Sequence, residues 1–357
     1  MSKKIGFLIT DFSGNGGTER VTSILSNGLS ERNYNVTIYS IRNGDIGRFY
    51  TKDNVELVSL HGENVKNPVL RKIVIYQKLK RDVINKKIDI MIAVDVALYL
   101  YLFLLQKKKI CKCIGWEHFN CLTDFGGFVN FSRKFAAKFA DYIVVLSKYD
   151  LCNYEVKYKK TNRIKYIYNP VTFVGRKKTD LSKKRVLAVG RLTPQKGFDM
   201  LLDAWKEVEK NNQEWELEIV GEGRLETELN RQIQNNDLKR CRLAGYSKDV
   251  EQEYLNASIY VLSSRYEGLP LVVIEALSKG LPVVAFDCEG GIRELVYNNE
   301  NGYLIDNANI HMLADKLLEL MENRNVLEKF SSNTEKYIKK LSLESIMNEW
   351  IELLDEV

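Results

Sequence analysis

Two carboxylates on either side of a proline loop form the pattern with the clearest chemistry in this chain. In the run Glu267-Gly-Leu-Pro-Leu-Val-Val-Ile-Glu275, seven residues separate the two acids. The preceding run Ser258-Ile-Tyr-Val-Leu-Ser263 predicts a buried strand, and Pro270 suits the first turn of a helix. Free N–H groups at a helix start attract phosphate, and carboxylates accept hydrogen bonds from hydroxyl groups. The segment therefore suggests a sugar-nucleotide site, although capping and helix-dipole effects explain the same residues equally well.

A second loop carries two cations. Gly190-Arg-Leu-Thr-Pro-Gln-Lys-Gly197 lies between a predicted strand and a predicted helix. Arg191 could bind a diphosphate with its planar guanidinium, and Lys196 could bind it as a point charge. Either residue singly is more often a solvated surface cation, so it is the pair on one short loop that predicts an anion site.

A glycine-rich loop near the N-terminus could also face an anion. Ser13-Gly-Asn-Gly-Gly-Thr-Glu-Arg20 lies between a predicted strand and a predicted helix, where glycines allow close backbone approach. The spacing differs from Gly-x-Gly-x-x-Gly, and the end of the second strand, Tyr39-Ser-Ile-Arg42, lacks an acid for a ribose. A dinucleotide-binding turn is therefore the weaker interpretation.

Strands and helices alternate along the chain, which predicts parallel sheets in two doubly wound domains. A polar, basic stretch at 175–180 separates domain 1–170 from domain 171–341. The helix at 342–357 is predicted to pack back on the first domain. We expect the carboxyl ends of both sheets to face a shared cleft, where such folds bind ligands. The predicted strands are 4–10, 35–41, 55–60, 88–94, 110–115, 141–146, 164–168, 185–190, 216–221, 239–244, 258–263 and 281–286. The predicted helices, besides others between the later strands, are 18–32, 69–87, 96–106, 129–140, 147–156, 309–322, 325–340 and 342–356.

Charge is divided unevenly between the two halves. Residues 1–170 hold 28 Lys and Arg against 15 Asp and Glu, whereas the remainder holds 25 against 32. A basic half favours an anionic partner, and because no nucleic-acid motif is present we place an anionic membrane surface first. The basic residues expected to meet a membrane or an acceptor are Arg71, Lys72, Lys80, Arg81, Lys107, Lys108 and Lys109.

Several other functions are disfavoured by composition. The apolar run 96–105 is too short to span a bilayer, and the N-terminal apolar stretch is too short for a signal peptide. The six cysteines show no zinc-like spacing, so we expect reduced thiols in a cytoplasmic protein. No Asp-x-Asp occurs, which weighs against a carboxylate-held metal, and we expect neither metal nor cofactor.

Five motifs together resemble the retaining glycosyltransferases of the family-4 type, which have the GT-B fold. The resemblance spans nearly the whole chain, and its most specific parts are the cation loop and the paired carboxylates. The run from Glu267-Gly-Leu-Pro to Gly280-Leu-Pro-Val-Val284 looks most like members that build bacterial lipid-linked glycans, capsule or O-antigen. This chain lacks the second glycine of the common Glu-Gly-Phe-Gly-Leu-Pro pattern. The resemblance therefore does not identify the transferred sugar. The motifs are Gly16-Gly-Thr-Glu-Arg20, Asn169-Pro-Val171, Gly190-Arg-Leu-x-x-x-Lys-Gly197, Val220-Gly-Glu-Gly223 and Glu267-x7-Glu275.

The resemblance implies a role for each matching residue. Arg191 and Lys196 would bind the donor diphosphate, Glu275 the ribose and Glu267 the transferred sugar. His118, after the fifth strand, matches the family's active-site histidine. The remaining donor-binding positions are Gly16, Gly17 and Gly190 near the diphosphate, Leu271 and Val272 through backbone groups, and Gly221, Gly223 and Tyr246 near the base.

The implied activity is metal-independent, retaining transfer of a hexose or N-acetylhexosamine from a UDP-linked sugar. The implied acceptor is a lipid-linked oligosaccharide or surface polysaccharide, met at the cytoplasmic face of a membrane by a peripheral enzyme. Two alternatives remain open from the sequence. One is a sugar-nucleotide 2-epimerase of the same fold, and the other is a non-catalytic adaptor.

Overall fold

The chain forms two compact units. The computed structural model describes residues 3–43, 47–159, 163–173, 175 and 177–357. One unit comprises Met1–Thr172 with Leu343–Val357, and the other comprises Phe173–Ser342. Val174 and Arg176, the second of which belongs to the predicted basic stretch at 175–180, lie outside the described residues.

The first unit is built on a seven-stranded parallel sheet with the order β3-β2-β1-β4-β5-β6-β7. Its central strands are continuous apolar runs buried on both faces, as parallel strands covered by helices must be. The strands are β1 Lys4–Asp11, β2 Asn35–Arg42, β3 Val55–Ser59, β4 Ile90–Val94, β5 Lys112–Trp116, β6 Tyr142–Val145 and β7 Ile164–Tyr166.

Five helices connect these strands. Four of them, α2 to α5, pack side by side in chain order, whereas α1 packs against the C-terminal helix α12. Short 3₁₀ turns at Gly62–Asn64 and Val96–Leu98 precede α2 and α3. The helices are α1 Gly17–Glu31, α2 Pro68–Lys86, α3 Tyr99–Lys107, α4 Gly127–Phe139 and α5 Lys148–Tyr158, with α12 at Leu343–Glu356.

The second unit is built on a six-stranded parallel sheet with the order β10-β9-β8-β11-β12-β13. Its core joins the sheet to α6, α10 and α11 through residues such as Trp205, Leu317 and Phe330. The strands are β8 Arg185–Val189, β9 Glu216–Val220, β10 Cys241–Gly245, β11 Ile259–Leu262, β12 Val283–Asp287 and β13 Gly302–Asp306. The helices are α6 Phe198–Asn211, α7 Glu226–Asn235, α8 Val250–Leu255, α9 Leu271–Ser278, α10 Ile310–Glu322 and α11 Arg324–Ile338.

Strand order reverses once in each sheet. In the first unit β1 lies beside β4, and in the second unit β8 lies beside β11. At such a reversal the two connections leave to opposite sides of the sheet, so a crevice opens at the carboxyl ends of the two strands. We call the end of each sheet where its strands finish the carboxyl edge.

The C-terminal helix belongs to the first unit, as the fold prediction required. Trp350 of α12 packs edge-to-face on Trp116 of β5, with ring centroids 4.9 Å apart. A Cβ atom at Gly28 of α1 would lie 2.6 Å from Sδ of Met347, so glycine allows the two helices to approach closely. Buried aromatic packing of this kind stabilises the returning helix.

Two details differ from the sequence prediction. The sequence predicted no strand after 281–286, but Gly302–Asp306 pairs with β12 as strand β13. The short apolar run Tyr303-Leu-Ile satisfies the hydrogen bonds of an otherwise open sheet edge. Pro270 is the N-cap residue just before α9, not a residue of its first turn.

Candidate active site

The loop after β8 presents its two cations differently. Arg191 is exposed, and its side chain has no hydrogen bond or ion pair within the described parts of the chain. Lys196, the last residue of the 3₁₀ turn Pro194–Lys196, is mostly buried and paired. The loop therefore offers one solvated guanidinium and one ammonium held in place.

Lys196 is held by Glu267 from the neighbouring loop after β11. Lys196 Nζ lies 2.7 Å from Glu267 Oε1, and Ser264 Oγ donates to the same oxygen at 2.6 Å. The two side chains are only 14% and 8% exposed. Reduced solvent screening strengthens this contact relative to a surface pair. The fold thus brings together two predicted site residues that lie 71 positions apart.

Further contacts fix the two loops to each other. Arg265 binds both carboxylate oxygens of Asp199 at 2.9 and 2.6 Å and donates to the carbonyl of Pro194 at 2.7 Å. Ser263 Oγ donates to the carbonyl of Lys196 at 2.9 Å. Sequence reasoning missed these residues, although Ser263 ends the predicted strand and Ser264-Arg265 directly follows it. Bidentate arginine contacts of this type give the site a defined geometry.

Helix α9 supplies a helix start and a buried acid. No side chain caps the helix at Pro270, so the first N–H groups, at Leu271 and Val272, have no intrahelical partner. One turn later, Glu275 is buried and its Oε2 accepts a hydrogen bond from the hydroxyl of Tyr254 at 2.9 Å. Such a helix start favours an anion.

The loops after β9 and β10 border the same edge. Gly221 has φ +146°, and a Cβ atom there would lie 1.9 Å from the carbonyl oxygen of Gly190. Glycine is therefore required for the β9 loop to lie against the β8 loop. Gly223 is exposed two residues later, and Tyr246 is exposed just after β10. These predicted base-binding positions lie on adjacent loops.

The other predicted site residues belong to the first unit. Gly16 is the N-cap of α1, which begins at Gly17 without a side-chain cap. His118 follows β5, and its ring lies 4.3 Å from that of Trp116. Nε2 of His118 is buried without a hydrogen-bond partner among the described residues. Burial lowers the pKa of His118 to about 3, so the ring is neutral at physiological pH.

A buried ion pair that sequence reasoning missed lies next to His118. Arg133 of α4 donates to Glu117 at 2.8 and 3.3 Å, and the two side chains are 1% and 0% exposed. The hydroxyl of Tyr154 donates to Glu117 at 2.7 Å, and Arg133 donates to the carbonyl of Thr123 at 2.7 Å. Because the remaining polar atoms are also bonded, the pair is satisfied inside the protein.

Two further acids lie at the carboxyl edge of the first sheet. Asp95, directly after β4, has φ +87°, an uncommon conformation for a residue other than glycine. Burial and the charge of Glu117 raise the pKa of Asp95 to about 6. The same two causes, burial first, raise the pKa of Asp150 to about 7. Both acids therefore titrate near neutral pH.

The predicted basic residues differ in accessibility. Arg71 is half-buried and donates to the carbonyls of Val65 and Lys66. Lys72, Arg81 and the run Lys107–Lys109 are exposed, and Lys80 is half-buried. Among the described residues, no helix has the length and hydrophobicity to cross a membrane.

Metal-binding geometry is absent from the described ranges 3–43, 47–159, 163–173, 175 and 177–357. No group of three or more His, Cys, Asp or Glu side chains there could hold a metal ion. The six cysteines are all free thiols, and four of them are buried: Cys111, Cys113, Cys121 and Cys288.

Known families match both units of the chain. The model of Glycosyltransferase Family 4 matches residues 15–173, and that of Glycosyl transferases group 1 matches residues 173–337. An uncharacterized glycosyltransferase of Haemophilus influenzae is 35% identical over 98% of this chain and 99% of its own length. The amylovoran biosynthesis glycosyltransferase AmsD of Erwinia amylovora is 32% identical over 99% of both chains.

More distant similarity extends over the full length. A Campylobacter jejuni enzyme, the GalNAc-alpha-(1->4)-GalNAc-alpha-(1->3)-diNAcBac-PP-undecaprenol alpha-1,4-N-acetyl-D-galactosaminyltransferase, is 27% identical over 99% of both chains. The structure of Anabaena Alr3699/HepE in complex with UDP and glucose matches with a TM-score of 0.84 at 18% identity, over 99% of this chain and 100% of the other. With two Rossmann-like units and matches at this coverage, the chain belongs to the family-4 glycosyltransferases of GT-B fold.

Proposed function

We propose that this glycosyltransferase moves a hexose or N-acetylhexosamine, with retention, from a UDP-linked sugar to a lipid-linked oligosaccharide or surface polysaccharide. The observation that carries the proposal is the Lys196–Glu267–Ser264 cluster. It joins the loops after β8 and β11, where strand order reverses, and the loop after β8 also presents Arg191. A preorganised cation, a solvated cation and an adjacent carboxylate suit a sugar diphosphate.

In the proposed donor site, charge binds the phosphates and carboxylates bind hydroxyl groups. Arg191, whose side chain has no partner within the described parts of the chain, would bind the diphosphate together with Lys196. The N–H groups at Leu271 and Val272 would bind the same group at the start of α9. Glu275 would accept from the ribose and Glu267 from the transferred sugar. The proposed contacts of Gly190 with the diphosphate and of Gly221, Gly223 and Tyr246 with the base follow from the family resemblance.

The proposed roles of the first unit also derive from the resemblance. Gly16 and Gly17 would approach the diphosphate by their backbone. His118 would act as a neutral ring that exchanges hydrogen bonds, because burial keeps its pKa far below physiological pH. A neutral histidine at the acceptor or sugar adds polarity without adding charge.

The proposed chemistry is displacement through an oxocarbenium-like state. The bond between the anomeric carbon and the diphosphate oxygen breaks, and its electron pair stays on the diphosphate. The acceptor oxygen forms its bond on the same face of the sugar, and its proton passes to the departing phosphate. Arg191 and Lys196 would stabilise the developing charge in place of a metal ion.

The proposed acceptor is based on the names of two relatives and on the positive charge of the first half of the chain. One relative is named for amylovoran biosynthesis and another for an undecaprenol-linked glycan. The basic first half of this chain would place such an acceptor at the cytoplasmic face of an anionic membrane. The exposed residues proposed to contact that surface are Lys72, Arg81, Lys107, Lys108 and Lys109, together with the half-buried Lys80 and Arg71.

A donor panel with and without lipid-linked acceptor tests the proposal. We expect a UDP-sugar to be consumed only when acceptor is present, and NMR of the product should show the anomeric configuration of the donor. Conversion of the UDP-sugar without acceptor would instead indicate an epimerase, and donor binding without turnover would indicate an adaptor.

A chelator tests metal independence separately. We expect full transfer in excess EDTA, because two protein cations are proposed to neutralise the leaving diphosphate. Transfer that disappears with EDTA and returns with magnesium or manganese would contradict this part of the mechanism.

A further inference from the structure

Large apolar side chains lie exposed at the N-terminal ends of two helices of the first unit. On α2, Val69, Leu70 and Ile73 are 66%, 55% and 47% exposed. On α4, Phe128 and Phe131 are 54% and 56% exposed. Single exposed apolar residues are ordinary, but a cluster of this kind marks an interaction surface.

The two groups adjoin. The ammonium of Lys72 on α2 lies 4.5 Å from the ring centroid of Phe128 on α4, so the exposed ends of the helices meet. Phe131 in turn packs against Phe135, with ring centroids 5.7 Å apart, and Phe135 packs edge-to-face on Phe103 at 4.7 Å. Phe131 is thus anchored to a partly buried aromatic row. We call Val69, Leu70, Ile73, Phe128 and Phe131 the apolar patch.

Helices α2 and α4, which carry the apolar patch, are rich in positive charge. Helix α2 contains six Lys and Arg against a single Asp. Helices α3 and α4 contain no acid at all, and Lys134 and Lys138 of α4 are exposed. An apolar centre of Phe, Leu, Ile and Val with a lysine margin matches the boundary between acyl chains and anionic headgroups. Protein interfaces also favour phenylalanine, but together with tyrosine, tryptophan and arginine, and they disfavour lysine.

We propose that the apolar patch inserts into the acyl-chain boundary of an anionic bilayer while the surrounding lysines bind its headgroups. The proposal deepens the proposed function and rests on it for the lipid-linked acceptor. It also changes the predicted mode of binding. The basic residues alone would give a contact that salt abolishes, whereas buried apolar side chains contribute in a way that salt does not screen.

Tryptophan quenching can report insertion directly. All four native tryptophans, Trp116, Trp205, Trp215 and Trp350, are buried, so brominated acyl chains should not reach them. In the Phe128→Trp variant, we expect emission to shift to the blue and to be quenched by phosphatidylglycerol vesicles carrying brominated chains. Quenching should be weak with pure phosphatidylcholine. An absence of quenching with anionic vesicles at low salt would overturn the proposal.

Matched variants separate the apolar patch from general surface effects. Phe128→Ser combined with Phe131→Ser should weaken sedimentation with phosphatidylglycerol vesicles by about tenfold or more, given the apolar area withdrawn from the membrane. Tyr50→Ser is the control, because Tyr50 is 73% exposed beside α1 and outside the apolar patch. Equal weakening in both variants would contradict insertion by the patch.

Two further measurements distinguish failure of the membrane proposal from failure of the proposed function. If the apolar patch joins two protein molecules, light scattering will show a wild-type dimer that the paired serine variant abolishes, without vesicle binding, and the proposal is then wrong. If vesicle binding follows the prediction but no UDP-sugar is bound or transferred, the proposed function is wrong, whereas membrane insertion by the apolar patch is supported.

Discussion

An acid–base ion pair lies at the carboxyl edge of each sheet, and the two pairs differ in how completely they are enclosed. Glu117 and Arg133 of the first unit are almost fully buried, and their remaining polar atoms bond Tyr154 and Thr123. Lys196 and Glu267 of the second unit lie on two loops and keep partial access to solvent.

The difference indicates two uses of the same chemistry. A fully bonded pair inside the fold cannot change partners without leaving a buried charge, so Glu117–Arg133 stabilises the structure around β5 and α4. A pair made through one ammonium at a loop edge can exchange its partner for a ligand anion. We therefore propose a structural role for the first pair and a donor-binding role for the second.

The largest expected effect is on stability in the first unit. Glu117→Gln leaves the Arg133 guanidinium buried without its counter-charge, which costs about 3–5 kcal/mol of the free energy of unfolding. Chemical denaturation followed by circular dichroism measures it.

The paired variant Glu117→Gln with Arg133→Met serves as the control, since removing both charges should recover much of that stability. A single variant as stable as the wild type would show that the buried pair is not structural.

The next effect is on turnover in the second unit. Arg191→Ala or Lys196→Ala should lower the transfer rate by about tenfold or more, because each variant removes one preorganised cation that stabilises the charge of the transition state. Lys183→Ala, an exposed lysine just before β8, should leave the rate unchanged. Near-normal transfer by either folded site variant would contradict the assignment.

The smallest effect is a pH dependence confined to the first unit. Burial raises the pKa of Asp150 to about 7 from its ordinary 3.8, so the folded state binds a proton that the unfolded state releases. Relative to Asp150→Asn, the wild type should therefore gain about 1.4 kcal/mol of stability in total as pH falls from about 8 to about 6. If the thermal midpoints of the two proteins change with pH in the same way, Asp150 does not titrate in this range and the prediction is wrong.

Much of the fold could be predicted because buried parallel strands are continuous apolar runs. The strand over 258–263 and the one over 185–190 were both located from such runs, and Arg191 and Glu267 were correctly expected in the loops that follow. That Lys196 touches Glu267 could not be predicted, because the contact depends on β8 lying beside β11. Strand order is a property of the whole sheet and not of either segment.

Residues paired inside the first unit show a second limit. From the sequence, Arg133 is one more cation in a basic half, and Glu117 is a polar neighbour of His118. Their contact depends on how α4 packs against the 3₁₀ turn Val96–Leu98 and its neighbouring helices, and it neutralises a charge that composition counts as available. Strand β13 was missed for a related reason, since a run as short as Gly302–Asp306 becomes a strand only when β12 offers an edge.

Calorimetric binding of UDP and uridine tests the central claim most directly, since the two ligands differ only in the diphosphate. We predict that wild-type protein binds UDP much more tightly than uridine. Arg191→Ala and Lys196→Ala should each weaken UDP binding by about tenfold or more while leaving uridine binding unchanged, because only the diphosphate meets these cations. UDP affinity that is the same in the wild type and both variants would contradict the assignment of the donor site to the carboxyl edge of the second sheet.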